Sequence, residues 1–356
     1  MLVALINDTH TGIRNASDVF LDYTARFYAE VFFPYCEKHD IKQVIHLGDY
    51  YDHRKYVSFK ALNHNRRKFL EPLRDRGMTM DLIPGNHDVF YKNTNDLCAL
   101  KELLGYFTKN VNIIMKPRVM NYAGCDVALL PWINPENYAE SMRFLESCPA
   151  SILCAHLELA GFEMMKGMPP AQHGMDASVL RRFEKVLTGH YHTKSSRDNI
   201  HYLGTQYEMT WSDCDDQKYF HVLNTETREI IAVPNPINIF AKVIYDDRKY
   251  DYSGYDVTTL RHKFVKLIVT QKTDLAAFDS FVDRIQKEEV HELKIAENYD
   301  EFLGENVQDT EEMNAVTDTS GLLDAYVDAA QTDLDKMSIK ARLKELYVEA
   351  QTLELV

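Results

Sequence analysis

Apolar and polar positions over the first 235 residues follow two alternating rhythms. Short aliphatic or β-branched runs ("LVALI" at 2–6, "QVIHL" at 43–47, "TMDLI" at 79–83, "VALL" at 127–130, "SILCA" at 151–155, "VLTG" at 186–189) have the length of strands rather than of helices. Between the first of them, segments near 18–39 and 56–76 carry helical spacing. Strands alternating with helices predict an α/β layered domain. Beyond residue 197 strand-like pieces dominate ("IHYLG", "YFHVLN", "EIIAVP"), which favours a mixed sheet or two packed sheets over a simple doubly wound one.

Pro234 and Pro236 mark a boundary, so the first domain is placed at 1–236. Residues 237–296 read as a small α+β unit, with "FVKLIVTQ" as a strand and Leu275–Val290 as a helix. Residues 297–319 are acidic and nearly free of aliphatic side chains, the composition of a linker. In the segment 320–356, Ile339, Leu343, Leu346, Tyr347, Ala350 and Leu353 fall at helical spacing behind Ser338 as N-cap. That amphipathic stripe needs a cover. The chain contains no internal repeat.

Composition changes this picture in two ways. A net charge of −14 argues against a polyanionic partner, but it is unevenly spread. Residues 1–240 hold 26 basic and 29 acidic side chains, a balance of −3, and residues 241–356 hold 14 and 25, a balance of −11. Arg54–Arg76 carries eight Lys or Arg against Glu71 and Asp75, a patch open to a polyanion or simply a solvated helix face. The six cysteines include no CxxC pair, as expected of reduced buried thiols. "LVALI" is too short for a signal peptide and no run is long enough to span a bilayer, so the chain reads as soluble and cytoplasmic.

Candidate chemistry sits where the strands stop. "ALINDTH" ends in Asp8 and His10, "IHLGDYYD" in Asp49, "LIPGNHD" in Asn86 and His87, "ILCAHLE" in His156, and "LTGHYH" in His190 and His192. Ligands at the carboxyl ends of strands in an α/β sheet converge on one crevice. Two divalent cations about 3.5 to 4 Å apart need a bridging carboxylate, further oxygen and nitrogen ligands, and an open position for a shared hydroxide. Asp49 is the natural bridge. Glycines directly before Asp49, Asn86 and His190 are expected to let the backbone turn.

The order DxH, GD, GNHD, H, GHxH resembles the calcineurin-like metallophosphoesterase superfamily over roughly residues 1–235. The resemblance implies a sandwich of two mixed sheets flanked by helices. It also implies one metal held by Asp8, His10, Asp49 and His192, and a second held by Asp49, Asn86, His156 and His190. His87 would be the acid that stabilises the transition state. The reaction is then in-line attack of a hydroxide on a phosphodiester, and oxygen and imidazole ligands without thiolate suit Mn²⁺, with Mg²⁺ the alternative.

"GDYYDHR" is also similar to the GDxxDRG stretch of phosphoprotein phosphatases, but His53 displaces Arg54 by one position and the second histidine of GHxH is foreign to them. "HLELAGFEMMKGM" and "YLGTQYEMTWSD" look most like the T-even phage members of the SbcD or Mre eleven family of recombination nucleases. That family implies DNA as substrate and a capping domain at 237–296 that contacts it. It also implies a homodimer, and terminal helices that dock on an SMC-like ATPase of the SbcC or Rad fifty type to give a heterotetramer, in the host cytoplasm for a phage protein. His53, Arg54, Lys55, Lys60 and Arg67 are the candidate DNA contacts, and Ile339, Leu343, Leu346 and Tyr347 the candidate ATPase contacts. On the helix near 56–76, Phe59, Leu62, Phe69 and Leu73 share one side, which is a candidate dimer face. Asp52 stands where many relatives carry a catalytic histidine, and it is left outside the catalytic set together with His53.

Overall fold

The computed structural model describes residues 1–107, 109–163, 171, 174–296, 327, 335–340 and 342–343. Four strands form parallel pairs: β1 (Leu2–Ile6), β2 (Gln43–His46), β3 (Thr79–Leu82) and β4 (Val111–Ile113). A second set follows: β5 (Arg118–Tyr122), β6 (Cys125–Leu130), β7 (Ile152–His156), β8 (Lys185–Gly189), β9 (Ser195–Arg197) and β10 (Ile200–Tyr202). Then β11 (Tyr219–Asn224) and β12 (Ile230–Pro234) return to the first sheet. The strand orders are β12-β11-β1-β2-β3-β4 and β5-β6-β7-β8-β10-β9, so both sheets are mixed, as expected for a metallophosphoesterase sandwich.

The alternation within each strand explains why two layers form. In β1, Val3 and Leu5 point into the core between the sheets while Ala4 and Ile6 face the helices; in β7, Ile152 and Cys154 face inward while Leu153 and Ala155 face outward. Strands buried on both faces need continuous apolar runs, and the chain supplies them. The outer face of the first sheet is covered by a continuous helix over 18–38 and by another over 59–75. Phe27, Phe32, Phe33 and Phe69 interlock there at ring separations of 5.3 to 6.3 Å. The helix Tyr138–Ser147 covers the second sheet. All six cysteines are free and buried.

The helix over 59–75 departs from expectation. Its buried positions are Ala61, Asn65, Phe69, Leu70 and Leu73, whereas Phe59 is 89 % exposed. A π-helical stretch at Arg66–Leu70 shifts the phase between the two ends, so Phe59 does not share a face with Phe69 and Leu73. Four of the basic residues expected to form a patch lie within ion-pair distance of acids: Lys60 with Asp18, Arg66 with Glu71, Arg74 with Asp75 and Arg76 with Glu37. Exposed pairs of this kind contribute little to stability.

A third sheet joins β13 (Phe240–Asp246), β14 (Phe264–Gln271) and β15 (Glu292–Ala296), all parallel, with the helix Leu275–Gln286 as crossover. Phe278, Phe281 and Ile285 close its core over Val243, Tyr245, Val265 and Leu267. The expected linker at 297–319 lies outside the described residues, as do Leu346, Tyr347, Ala350 and Leu353. Ile339 and Leu343 are helical and half-buried. The cap there is Asp335 rather than Ser338: Asp335 accepts from the Met337 N–H at 3.2 Å and the Ser338 hydroxyl at 2.6 Å. Among the described residues no helix is long and apolar enough to cross a membrane.

Candidate metal centre

Five strand ends deliver the candidate ligands. β1, β2 and β3 run parallel in one sheet, β7 and β8 parallel in the other, so all five carboxyl ends open on one crevice. Two loops are zipped together by main-chain bonds from Asp8 N–H to Gly48 O, His10 N–H to Asp49 O and Thr11 N–H to Tyr50 O, at 2.8 to 3.0 Å. Asp88 ties in the third loop by accepting from the N–H groups of Tyr50, Tyr51 and Gly85. The backbone is strained where the ligands sit: Asp8, His10, Asp49 and His190 have φ of 47°, 40°, 52° and 91°. Non-glycine residues held in this region cost about 1–3 kcal/mol each, and such strain clusters at functional sites.

Glycine serves two different purposes here. Gly48 has φ 92° and makes the expected turn. Gly85 and Gly189 do not need positive φ, contrary to expectation, but leave room for carboxylates. A Cβ on Gly189 would lie 2.6 Å from Asp8 Oδ2, and one on Gly85 would fall onto Asp49 Oδ1. Gly85→Ala must therefore displace Asp49, which is itself held by the His87 N–H at 2.7 Å. Since a misplacement of about 1 Å can cost on the order of 10²-fold in rate, phosphodiester cleavage by Gly85→Ala should fall by that order in a steady-state assay.

The side chains gather into two groups. Asp8, His10 and His192 place ligand atoms within 4.8 Å of one another, and Asp49, His156 and His190 do the same. Asp49 Oδ2 lies between them, 3.9 Å from His10 Nε2 and 3.3 Å from His156 Nε2. Asn86 Oδ1 is 3.0 Å from both His156 Nε2 and His190 Nδ1. The structure thus brings together all eight residues read from the strand ends. His87 lies beside these groups, 9 % exposed, with its ring 4.8 Å from that of His10 and its Nδ1 donating to Asp52 O at 2.6 Å.

The donor set fits divalent cations. His10 Nε2 and Asn86 Nδ2 are buried without a hydrogen-bond partner. A buried polar atom left so costs about 1–3 kcal/mol, and for the imidazole a cation is the fitting partner. His156 Nδ1 donates to Leu47 O at 2.8 Å, which leaves Nε2 as the ring nitrogen aimed at Asn86 Oδ1 and Asp49 Oδ2. Burial pushes His190 and His192 below their ordinary values, the latter to about 3, so both rings are neutral. Burial raises Asp8 to about 6, whereas for Asp49 the imidazoles of His156 and His87 outweigh burial and hold it well below the carboxylate range. Burial also opposes charge on His10, yet contact with Asp52 and the charge of Asp49 carry it up to about 9. Oxygen and imidazole ligands without sulfur suit divalent cations of hard to borderline character.

Several contributors are not evident from the sequence. Asp52 Oδ1 stands 3.2 Å from His10 Nδ1, and the Asp52 carbonyl accepts from His87 Nδ1, so this one residue touches both rings. Trp132 packs against His156 and His190 at ring separations of 5.9 and 5.5 Å. Its one signal is its place just after the apolar run of β6, beside β7. Of the candidate DNA contacts, His53 stacks on Tyr56 at 4.6 Å, and Arg54 buries Nε and Nη1 without a protein partner near Asp49. Lys60 is engaged with Asp18, and Lys55 and Arg67 are exposed on the surface beyond.

Two mixed sheets that direct carboxylates, an amide and imidazoles into one crevice define a phosphoester hydrolase, and residues 1–194 match the calcineurin-like phosphoesterase family, to which this chain belongs. Along 98 % of its length the chain is 31 % identical to exonuclease subunit 1 of Enterobacteria phage T4, covering 99 % of that protein. Among solved structures it is similar to an archaeal phosphodiesterase (TM-score 0.35, 14 % identity, 66 % of this chain and 100 % of that one). It is also similar to a dimetal phosphatase from Danio rerio (TM-score 0.34, 12 % identity, 67 % and 97 %). Likeness of that degree assigns neither activity nor substrate.

Proposed function

We propose that this chain is a two-metal DNA nuclease, the exonuclease and endonuclease subunit of an SbcCD-like complex that processes DNA ends. One observation carries the reading: Asp49 Oδ2 lies between two ligand groups, 3.9 Å from His10 Nε2 of one and 3.3 Å from His156 Nε2 of the other, while His87 belongs to neither. Asp8, His10, Asp49 and His192 would hold one ion, and Asp49, Asn86, His156 and His190 the other. Two such ions, manganese by preference, would acidify water and neutralise phosphate oxygens. The chain's own residues do the rest. Asp49 Oδ1 is anchored by the His87 N–H, which sets the distance from the ligands to the His87 ring. Burial lowers the affinity of that ring for a proton, although Asp49 opposes it, and a protonated His87 would give its Nε2 proton to the departing oxygen and take another from solvent. Arg54 Nε and Nη1, buried without a protein partner, are suited to a phosphate oxygen of the strand.

The substrate assignment is supported by the relationship to the phage exonuclease subunit along nearly the whole chain. In this reading residues 1–236 form the nuclease domain, 237–296 the capping domain that meets DNA, and 320–356 the segment that docks on an SMC-like ATPase beyond the acidic linker at 297–319. The complex is a heterotetramer built on a homodimer of this chain and works in the cytoplasm, that of the host for a phage-encoded protein.

The test uses the full chain with Mn²⁺. Linear duplex DNA is expected to be degraded, p-nitrophenyl phosphate esters to turn over slowly, and a chelator to stop both. Fast turnover of the esters with DNA left intact would instead mark a phosphoesterase of the same superfamily that acts on cyclic nucleotides or phosphoproteins.

A further inference from the structure

We infer that Lys218 is a positioning residue for His192, and that it joins the cation site of Asp8, His10 and His192 to the third sheet. The inference rests on the two-metal reading above. Lys218 is only 4 % exposed. A buried ammonium is tolerated only when its charge is paired and its protons are used. Its Nζ lies 2.6 Å from Asp213 Oδ1 and 3.0 Å from Asp216 Oδ2, and it donates to the backbone carbonyl of His192 at 3.2 Å. Two carboxylates already balance the charge. The third bond is therefore spent on the peptide of a candidate ligand.

That peptide is clamped from other sides as well. The Thr205 N–H donates to the same carbonyl at 3.0 Å. Gly204, at φ 70°, passes so close that a Cβ there would lie 3.0 Å from His192 O. The remaining oxygen of Asp213 accepts from the N–H groups of Met209 and Thr210, both at 2.9 Å.

The same short segment holds the third sheet. Glu208 Oε2 accepts from the Ile239 and Phe240 N–H groups at 2.7 and 3.0 Å. Trp211 packs on Phe240 with ring centres 4.7 Å apart, and the Lys266 ammonium on β14 lies 4.5 Å from the Trp211 ring centre. Residues 205–218 thus grip His192 at one end and the entry to β13 and β14 at the other. How that segment seats against the third sheet sets where the His192 ring lies relative to Asp8, at present 4.0 Å away.

The experiment measures Mn²⁺ binding to the full chain by calorimetry and electron paramagnetic resonance. The double variant Lys218→Met with Asp213→Asn removes both buried charges together and keeps an acceptor for Met209 and Thr210, so the fold is preserved. It is expected to weaken one of two ions by about 10- to 100-fold, the usual effect of losing a group that orients a ligand. The ion weakened should be the one that His192→Ala removes, with the other ion and the metal-free melting temperature unchanged. Asp216→Asn, at the half-buried partner of the same ammonium, should act in the same direction and less, and supports the inference even if the double variant fails to fold. Two ions bound as tightly as in the parent by both variants would overturn the inference. So would equal weakening of both ions with a lowered melting temperature, which marks a purely structural role. A parent chain that binds one ion or none would overturn the two-metal reading itself, and this inference with it.

Discussion

Asp49→Asn is expected to lower DNA cleavage by on the order of 10⁴-fold, equivalent to about 5.4 kcal/mol of barrier, and to reduce bound manganese from two ions to one at most. Asp49 Oδ2 lies within 4 Å of an imidazole from each ligand group. Asparagine keeps an acceptor for the His87 N–H but turns an amide N–H₂ toward the site where positive charge is to be held. Asp8 is then the sole carboxylate among the proposed ligands, beside four imidazoles, and burial already works against its ionisation. Single-turnover cleavage with manganese counted by electron paramagnetic resonance decides the matter. A variant that keeps both ions and cuts within tenfold of the parent would show that Asp49 is not shared.

His87→Gln should lose activity by about 10²- to 10⁴-fold, the range for removal of one acid–base group, while binding two ions as the parent does. The ring is oriented by Asp52 O through Nδ1, which leaves Nε2 as the atom facing the crevice. A group that protonates the leaving oxygen matters less when that oxygen departs easily. The loss measured on a p-nitrophenyl phosphodiester should therefore be smaller than on DNA. Equal losses on both substrates would place His87 in charge stabilisation rather than proton transfer, and loss of an ion would make it a ligand.

Much of the fold is legible locally. β14 falls on "FVKLIVTQ" residue for residue, and the helix from Leu275 begins where the pattern begins, ending at Gln286 rather than Val290. The candidate ligands are legible for the same reason: an apolar run that stops abruptly in Asp, Asn or His is visible within seven residues. What depends on phase or on distant neighbours is not. Phe59 shares a face with Phe69 only if every turn has 3.6 residues, and the π-helical stretch breaks that count. The cluster from Arg54 to Arg76 looks like one basic patch until Asp18 and Glu37 arrive from another helix to pair with Lys60 and Arg76. Lys218 looks like a surface lysine between a glutamine and a tyrosine, because nothing nearby in sequence shows that His192 lies above it.

The sequence by itself determined the strands, the residues that end them and their order along the chain, since each is a matter of short-range alternation and of which side chain follows it. Only the tertiary structure decided that they meet. Parallel pairing of β1 with β2 and β3, and of β7 with β8, aims five strand ends the same way, and the packing of two sheets across one apolar core brings the ends together. The His190 N–H then reaches Asp8, 182 positions earlier, at 3.0 Å. Left-handed backbone at Asp8, His10, Asp49 and His190 is likewise outside local preference, because its cost is met by long-range packing that holds the loops in place.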